Sequence, residues 1–148
     1  MRVINRKPVI VAVSGGFDPI HIGHVRMFKA AKRLGGKLVV ILNNDNWLRS
    51  KKGYVFMPEA ERKEILLALR DVDRVVMTSH TVNDADQSVS KALSKIRPHI
   101  FANGGDRLKR NIPEVNLCKK LGLKMVFNVG SGKVQSSSWL INRLRNKS

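Results

Sequence analysis

The stretch "VIVAVSGGFDPIHIGHVRMFKAAKRLGG", residues 9–36, decides the fold, because a short apolar run leads through two glycines into an amphipathic segment. Residues 9–13 are continuously apolar, as expected of a strand that is covered on both faces. Apolar residues then recur at helical spacing up to Leu34, and Gly35 is the kind of residue that ends a helix. The stretch therefore predicts a β-strand, a glycine-rich turn and a helix.

The same alternation continues along the rest of the chain. Further strands are predicted at residues 38–42, 75–77, 100–102 and 125–129. Helices are predicted from Pro58 onward and at residues 84–96, 113–121 and 136–144. Five strands alternating with five helices predict one α/β domain over residues 1–148, with a parallel sheet and helices on both faces. Ligands in such sheets bind beyond the carboxyl ends of the strands, where the opening stretch has its glycines.

The charge balance indicates anionic partners. The chain has 28 Lys and Arg residues against 11 Asp and Glu, which gives a formal net charge of +17. The basic residues are spread over the whole chain and form no long run, so a surface around an anion-binding cleft is favoured over a polynucleotide-binding tail. We therefore expect small phosphate-bearing ligands and no specific nucleic acid.

Composition also limits the cellular setting. The single cysteine, Cys118, excludes an internal disulfide and a zinc site built from cysteines. No apolar run approaches the roughly 20 residues that a membrane span needs. The basic and then apolar start continues into the glycine turn, which favours a first strand over a signal peptide. We expect a cytoplasmic protein without membrane contact.

Two histidines, His21 and His24, stand three residues apart where the turn becomes the helix. Gly15 and Gly16 allow a ligand to approach the backbone closely, and a helix N-terminus offers N–H groups to a phosphate. Two imidazole donors at this place suit a phosphoryl centre whose negative charge grows during attack. Two alternatives stay open: a shared metal ion, for which no third ligand is evident, and a structural role in the core.

At this point the sequence resembles a known family. "GGFDPIHIGH" is similar to the signature of the HxGH nucleotidyltransferases, a cytidylyltransferase-like superfamily that includes glycerol-3-phosphate cytidylyltransferase, heptose-phosphate adenylyltransferase and phosphonate cytidylyltransferase domains. "LNNDNWLRSKKGYVFMPEAERKEILLAL", "IRPHIFANGGDR" and "VQSSSWLINRL" resemble three further blocks of that family, in the same order. The resemblance covers most of the chain and implies a Rossmann-like domain with strand order 3-2-1-4-5.

The resemblance implies transfer of CMP or AMP from CTP or ATP onto a small phosphate or phosphonate, with Mg²⁺ as cofactor and release of pyrophosphate. We expect a cytidylyltransferase slightly more than a heptose-phosphate type of adenylyltransferase. The segment "NVGSGKV" departs from the Arg-Thr-Glu-Gly stretch of many cytidylyltransferases, so the choice between CTP and ATP stays open. A noncatalytic nucleotide-binding or nucleic-acid-binding module is a weaker alternative. We also expect a homodimer.

Site residues are carried over from the matching blocks. The resemblance implies catalytic roles for four residues, His21, His24, Lys52 and Arg62. It implies a nucleotide site made of Gly15, Gly16, Phe17, Gly23, Gly104, Asp106, Ser136, Ser137 and Ser138. It places the acceptor near Asp45 and Lys51. Asp18 is a candidate Mg²⁺ ligand, and the alternative is that its side chain only stabilises the turn.

Ordinary explanations remain for several of these residues. Lys51 and Lys52 are expected in a polar loop after the second strand, where they would close over a triphosphate as a lid or be plain surface lysines. Arg62 stands in the first turn of a helix, where the helix dipole disfavours a cation, so a role at the ligand is expected. A structural ion pair with Glu59 is the alternative. One serine of the three would suffice to cap the last helix.

Overall fold

The computed structural model describes residues 7–105, 112–130 and 135–147. Within these ranges five strands form a single parallel sheet in the order β3-β2-β1-β4-β5. The strands are β1 (Ile10–Gly15), β2 (Lys37–Leu42), β3 (Arg74–Met77), β4 (Ile100–Gly104) and β5 (Lys124–Val129). The predicted strand order and the Rossmann-like α/β class are confirmed.

Helices cover both faces of this sheet. They are α1 (Ile22–Leu34), α2 (Asp45–Lys52), α3 (Glu59–Leu67), α4 (Ser90–Ile96), α5 (Val115–Leu121) and α6 (Ser137–Arg145). Val11 and Val13 of β1 join a hydrophobic cluster with residues of α1 and α3. Ala12, between them, joins a second cluster with residues of α4 and α5. Because successive side chains of a strand point to opposite faces, the central strand is buried on both, as its continuous apolar run predicted.

The loop predicted for Lys51 and Lys52 is wrong, because both residues belong to α2. The Asn44 side chain caps this helix by accepting a hydrogen bond from the Trp47 amide at 3.0 Å. Gly53 ends it with a φ of 82°, which a glycine adopts without strain. The helix is short and polar, and Leu48 is its buried residue. The lysines therefore lie at a helix C-terminus, where their charge complements the helix dipole.

Helix α4 begins at Ser90 rather than at residue 84. Upstream of it, Asp84 Oδ1 accepts a hydrogen bond from the Asp86 amide at 3.3 Å, and Asp86 Oδ1 accepts one from the Ser88 amide at 2.9 Å. Short acidic side chains that bond to nearby backbone amides compete with helix formation. Residues 85–89 of this segment instead line a cleft together with Ser14 and Gly15 of β1. The other four predicted helices begin within about two residues of the observed ones, an ordinary difference between assignments.

The topology places the candidate site. Strand β1 lies between β2 and β4, and the chain order reverses between β1 and β4. The carboxyl ends of these parallel strands meet at one edge of the sheet, where the turn after Gly15, the segment after Leu42 and Gly104 lie together. None of the helices in the described ranges is long and apolar enough to cross a membrane.

Candidate active site

The two histidines form a pair at the N-terminus of α1. His21 is the N-cap residue, and its Nδ1 accepts a hydrogen bond from the Gly23 amide at 3.1 Å. The Nδ1 of His24 accepts one from the His21 amide at 3.2 Å. The two rings are stacked, with 3.7 Å between their centroids. Because each Nδ1 accepts a hydrogen bond, a neutral ring carries its hydrogen on Nε2. The Nε2–H group of each ring is therefore on the side opposite the amide that Nδ1 binds.

Gly23 is required by this arrangement. A Cβ atom at Gly23 would lie 2.9 Å from Cε1 and 3.0 Å from Nδ1 of the His21 ring. A side chain there would displace the imidazole from its capping position. The His-x-Gly-His spacing is therefore explained by packing: the glycine makes room for the first ring, and the helical turn brings the second ring beside it.

His24 is a neutral hydrogen-bond donor at physiological pH. Burial is the main cause that lowers the pKa of its imidazole from 6.5 to about 3, and the positive charges of His21 and Lys52 contribute to the same shift. The edge of the Phe17 ring packs against His24, with 4.8 Å between ring centroids. A ring with this pKa does not act as a proton donor near neutral pH, but its Nε2–H can stabilise a developing negative charge.

Phe17 supports the histidine pair from the core. Its side chain is buried at 4% exposure and also packs edge-on against Phe28, with centroids 5.2 Å apart. Its φ of 50° is uncommon for a residue with a bulky side chain, and such backbone conformations occur often at functional sites. The structure thus leaves little of the ring exposed to the nucleotide that the sequence predicted as its partner.

The N-terminus of α6 lies beside that of α1. Ser137 Oγ donates a hydrogen bond to the Pro19 carbonyl at 2.8 Å, which ties α6 to the turn before the histidines. Ser136 Oγ caps α6 by accepting from the Trp139 amide at 3.0 Å. Ser138 is exposed. Two helix N-termini therefore converge next to the glycine turn, and their dipoles and amides favour an anion there.

Arg62 is a structural clamp in this fold. Its side chain is buried, and its guanidinium donates to the carbonyls of Met57 at 2.8 Å, Gly16 at 2.8 Å and Asn43 at 2.7 Å. A fourth hydrogen bond, 2.7 Å long, joins it to Asp45 Oδ1. The predicted alternative, an ion pair, is thus realised with Asp45 rather than with Glu59. The guanidinium fixes the segments that follow β1 and β2, and four of its five N–H groups donate within the protein.

Asp18 is likewise held by protein groups. Its two carboxylate oxygens accept hydrogen bonds from the amides of Phe56 and Met57, each at 2.6 Å, and it is 2% exposed. This geometry fits the turn-fixing alternative. Among the described residues no group of three His, Cys, Asp or Glu side chains could hold a metal ion. The described part of the chain therefore supplies no protein cage for Mg²⁺.

A cleft opens at the carboxyl end of β1, where Ser14 and Gly15 line it. It has a volume of about 520 Å³ and extends from the end of β1 to the segment before α4 and the start of α5. Lys51 and Lys52 are both exposed. Lys51 lines the cleft, and Lys52 is close enough to His24 to lower the pKa of its imidazole. Sequence reasoning missed Asn43 and Glu114, two buried polar residues that also line this cleft.

The remaining predicted residues lie at the ends of β1 and β4 or outside the described residues. Gly104 ends β4, and a Cβ atom there would lie 3.4 Å from the Met27 sulfur of α1. Asp106, the predicted ribose ligand, lies outside the described residues. Gly15 and Gly16 form the turn itself, where a Cβ would meet Phe17 at 2.9 Å or Leu48 at 3.0 Å. A larger residue at either position would have to displace one of these side chains.

Comparison with known proteins assigns the family. The Cytidylyltransferase-like family model matches residues 12–128. This range includes the histidine pair, all of β2, β3 and β4, and most of β1 and β5. The chain belongs to the cytidylyltransferase-like family. The resemblance inferred from the sequence is thereby confirmed, and the matched range begins within β1 and ends within β5 of this cytidylyltransferase-like protein.

Named relatives agree with this membership. The chain is 39% identical over 120 residues to the bifunctional protein HldE of Streptomyces coelicolor, covering 80% of this chain and 25% of HldE. It is 34% identical over 118 residues to the FAD synthase of Pyrococcus horikoshii, covering 75% of this chain and 76% of the synthase. The chain thus spans about a quarter of HldE and about three quarters of that FAD synthase.

A solved structure agrees with the fold. The lipopolysaccharide core biosynthesis protein of Thermoplasma volcanium superposes with a TM-score of 0.69 and 26% identity, covering 86% of this chain and all of that protein. Pantothenate synthetase of Thermus thermophilus superposes with a TM-score of 0.55 at 15% identity, which supports the fold alone. The cytidylyltransferase-like assignment therefore has support from both sequence and architecture.

Proposed function

We propose that this protein transfers a nucleoside monophosphate, CMP or AMP, from CTP or ATP onto a small phosphate or phosphonate and releases pyrophosphate. The observation that carries the proposal is the stacked His21 and His24 pair, whose Nδ1 atoms are fixed by backbone amides at the point where two helix N-termini converge. Family membership supports the same chemistry.

The reaction is a direct displacement at the α-phosphorus. An oxygen of the acceptor forms a bond to that phosphorus, and the bond to the bridging oxygen breaks, so that pyrophosphate leaves with the electron pair. A phosphate or phosphonate is already ionised near neutral pH and needs no general base. The protein's contribution is then positioning and stabilisation of the charge on the α-phosphoryl oxygens.

The described residues divide this work by position. The Nε2–H groups of His21 and His24 donate to the α-phosphoryl oxygens, and the amides of α1 and α6 attract the phosphate chain. Ser138, Gly15 and Gly16 lie next to the nucleotide, and Asp106 is the predicted ribose ligand. Lys52 adds positive charge near His24. The net charge of +17 draws two polyanionic substrates together.

Four residues take narrower roles than the sequence predicted. Arg62, Asp18 and Phe17 hold the turn and the histidine pair, and we propose that they act as positioning residues. Asp45, which is bonded to Arg62, joins them, and Lys51 remains the acceptor-binding residue of the cleft. Mg²⁺ is the expected companion of the triphosphate, since Mg²⁺ is commonly held by substrate phosphates with few protein ligands. The homodimer and the cytoplasmic location stay predictions.

The choice of base is open to a direct test. The sequence slightly favours CTP, whereas relatives named FAD synthase favour ATP, because FAD contains an adenylyl group. Pyrophosphate release should be measured with each of the four NTPs against sugar phosphates, polyol phosphates and phosphonates. We expect release with CTP or ATP and one acceptor class. Binding of NTP without pyrophosphate release from any pair would favour the noncatalytic nucleotide-binding alternative.

A further inference from the structure

His80 is a buried histidine that the proposed reaction does not use. It is 8% exposed and lies between β3 and α4. Its Nε2 is 3.0 Å from the Ser88 carbonyl oxygen, and its Nδ1 is 2.9 Å from Thr78 Oγ1. Because a carbonyl oxygen only accepts, Nε2 carries a hydrogen, and in a neutral ring Nδ1 then accepts from the Thr78 hydroxyl. The imidazole therefore joins the two ends of the segment formed by residues 78–88.

The same residue holds the N-terminus of α2. The His80 carbonyl accepts hydrogen bonds from the side-chain amides of Asn44 and Asn46, each at 2.9 Å. Thr78 Oγ1, which contacts the imidazole, accepts a further bond from the Asn44 backbone amide at 3.0 Å. Asn44 is also the N-cap residue of α2. Through Thr78 and its own carbonyl, His80 therefore fixes the first turn of that helix.

Two further hydrogen bonds join residues 78–88 to α2 farther along the helix. Trp47 Nε1 donates to the Gln87 carbonyl at 2.9 Å, and the Asn83 amide donates to Ser50 Oγ at 3.3 Å. Helix α2 is eight residues long, and Leu48 is the residue that it buries. Helices shorter than about 12 residues are marginal in water unless tertiary contacts hold them. Because α2 has little apolar packing, its position depends on these hydrogen bonds.

The bonds between α2 and α3 hold one end of α2. Asp45, the first residue of the helix, pairs with Arg62 at 2.7 Å, and its amide donates to Glu59 Oε2 at 3.1 Å. Both bonds are made by the first residue, whereas residues 78–88 contact the helix as far as Ser50. The direction of α2 therefore depends on the conformation of residues 78–88, which the His80 imidazole maintains.

The direction of α2 determines where its last residue, Lys52, lies. The Lys52 ammonium is close enough to His24 to lower the pKa of its imidazole. A displacement of about 1 Å can strongly weaken the contribution of a group at a reacting centre. Resting on the proposed function, we propose that His80 is a positioning residue: it directs α2 so that the Lys52 ammonium lies beside the histidine pair and contributes to binding of the triphosphate.

The first measurement reports the position of α2 without any substrate. The chain has two tryptophans, so the two indole N–H signals in an NMR spectrum of the full chain are assigned with Trp139→Phe. In His80→Leu we expect the Trp47 signal to shift toward that of an exposed indole, because its hydrogen bond to the Gln87 carbonyl is weakened. The control is His99→Leu, which should leave the signal in place. His99 is exposed and precedes β4, at the opposite edge of the sheet.

The second measurement tests whether the position of α2 matters to the nucleotide. Titration calorimetry gives the Kd of CTP and of ATP. His80→Leu should raise the Kd of the nucleotide that the wild type binds more tightly by about 10-fold, and His99→Leu should not. In a Lys52→Met background, His80→Leu should raise that Kd by about 2-fold or less, because the charge that it misplaces is already absent.

Three further variants keep the test valid if His80→Leu does not fold. Thr78→Val removes the hydroxyl that joins His80 to the Asn44 amide, keeps the size of the side chain, and should reproduce both effects. Thr78→Ser keeps the hydroxyl and should restore the Trp47 signal and most of the affinity. His80→Gln keeps an N–H group for the Ser88 carbonyl and should lie between the wild type and His80→Leu.

Several results would overturn the proposal. An unchanged Trp47 signal in His80→Leu and Thr78→Val would do so, as would a shifted signal with unchanged NTP affinity. An equal loss of affinity with and without Lys52 would assign His80 to general stability of the fold instead. Absence of NTP binding by the wild type would also contradict it. Coupled NTP binding without pyrophosphate release from any acceptor would sustain the role of His80 and reject the proposed transfer, so the two failures are distinguishable.

Discussion

Replacing Arg62 with methionine should lower the free energy of unfolding by more than it lowers the binding free energy of NTP. The change removes four hydrogen bonds and leaves three carbonyls and the Asp45 carboxylate without their donor. Removing one partner of a buried ion pair costs about 3–5 kcal/mol of the free energy of unfolding. For a chain of this length, that corresponds to a fall of roughly 10 °C in Tm.

The measurement is urea or thermal unfolding of the wild type, Arg62→Met and a control, Lys63→Met. Lys63 is the next residue of α3 and is exposed, so its variant has the same change of charge and should lie within about 0.5 kcal/mol of the wild type. Arg62→Lys should recover only part of the loss, since an ammonium cannot serve four fixed acceptors. The reasoning is refuted if Arg62→Met unfolds like the wild type but fails to bind NTP, which would restore the role at the ligand that the sequence predicts for Arg62.

Three further predictions concern the histidines and the charge. Because the pKa of His24 falls from 6.5 to about 3 on folding, the unfolded chain binds the extra proton and stability is lost as pH falls through that window. Relative to His24→Gln, wild-type unfolding free energy should drop by about 2 kcal/mol between pH 8 and pH 5; a constant difference would contradict the shift. Gly23→Ala should lower turnover about 10²-fold by displacing His21, whereas Gly36→Ala, whose Cβ would lie 3.6 Å from Pro8, should not; equal rates would remove the packing explanation. Duplex DNA should bind weakly at physiological salt and without sequence preference in a mobility-shift assay, and sub-micromolar specific binding would favour the nucleic-acid-binding alternative.

The inner strands β1, β2 and β4 could be predicted from sequence because burial on both faces leaves a local signature, the continuous apolar run. Helix α2 could not be recognised from apolar periodicity, since Leu48 is its buried residue and the rest of its surface is polar. Its signals were the capping residues, Asn44 before it and Gly53 after it. The premature start predicted for α4 has a similar cause: acidic side chains that favour a helix N-terminus here bond to their own loop instead.

In the candidate site too, contacts between residues close in the sequence could be predicted, whereas contacts between distant residues could not. The pairing of His21 and His24 follows from their spacing on one helical turn, so sequence could predict it. The role of Arg62 depends on acceptors up to 46 residues away, and no local pattern contains them. Asn43 and Glu114 are ordinary polar residues in the sequence. Only the fold buries them beside one cleft and leaves an oxygen of each without a partner among the described residues.

The central claim is attack at the α-phosphorus, and the fate of two labels tests it most directly. CTP or ATP labelled at the α- or the γ-phosphate is incubated with the acceptor that supports pyrophosphate release. The proposed displacement predicts that the α-label joins the acceptor and that the γ-label leaves in pyrophosphate alone. Appearance of the γ-label on the acceptor, or of the α-label in free nucleoside monophosphate, would contradict nucleotidyl transfer at this site.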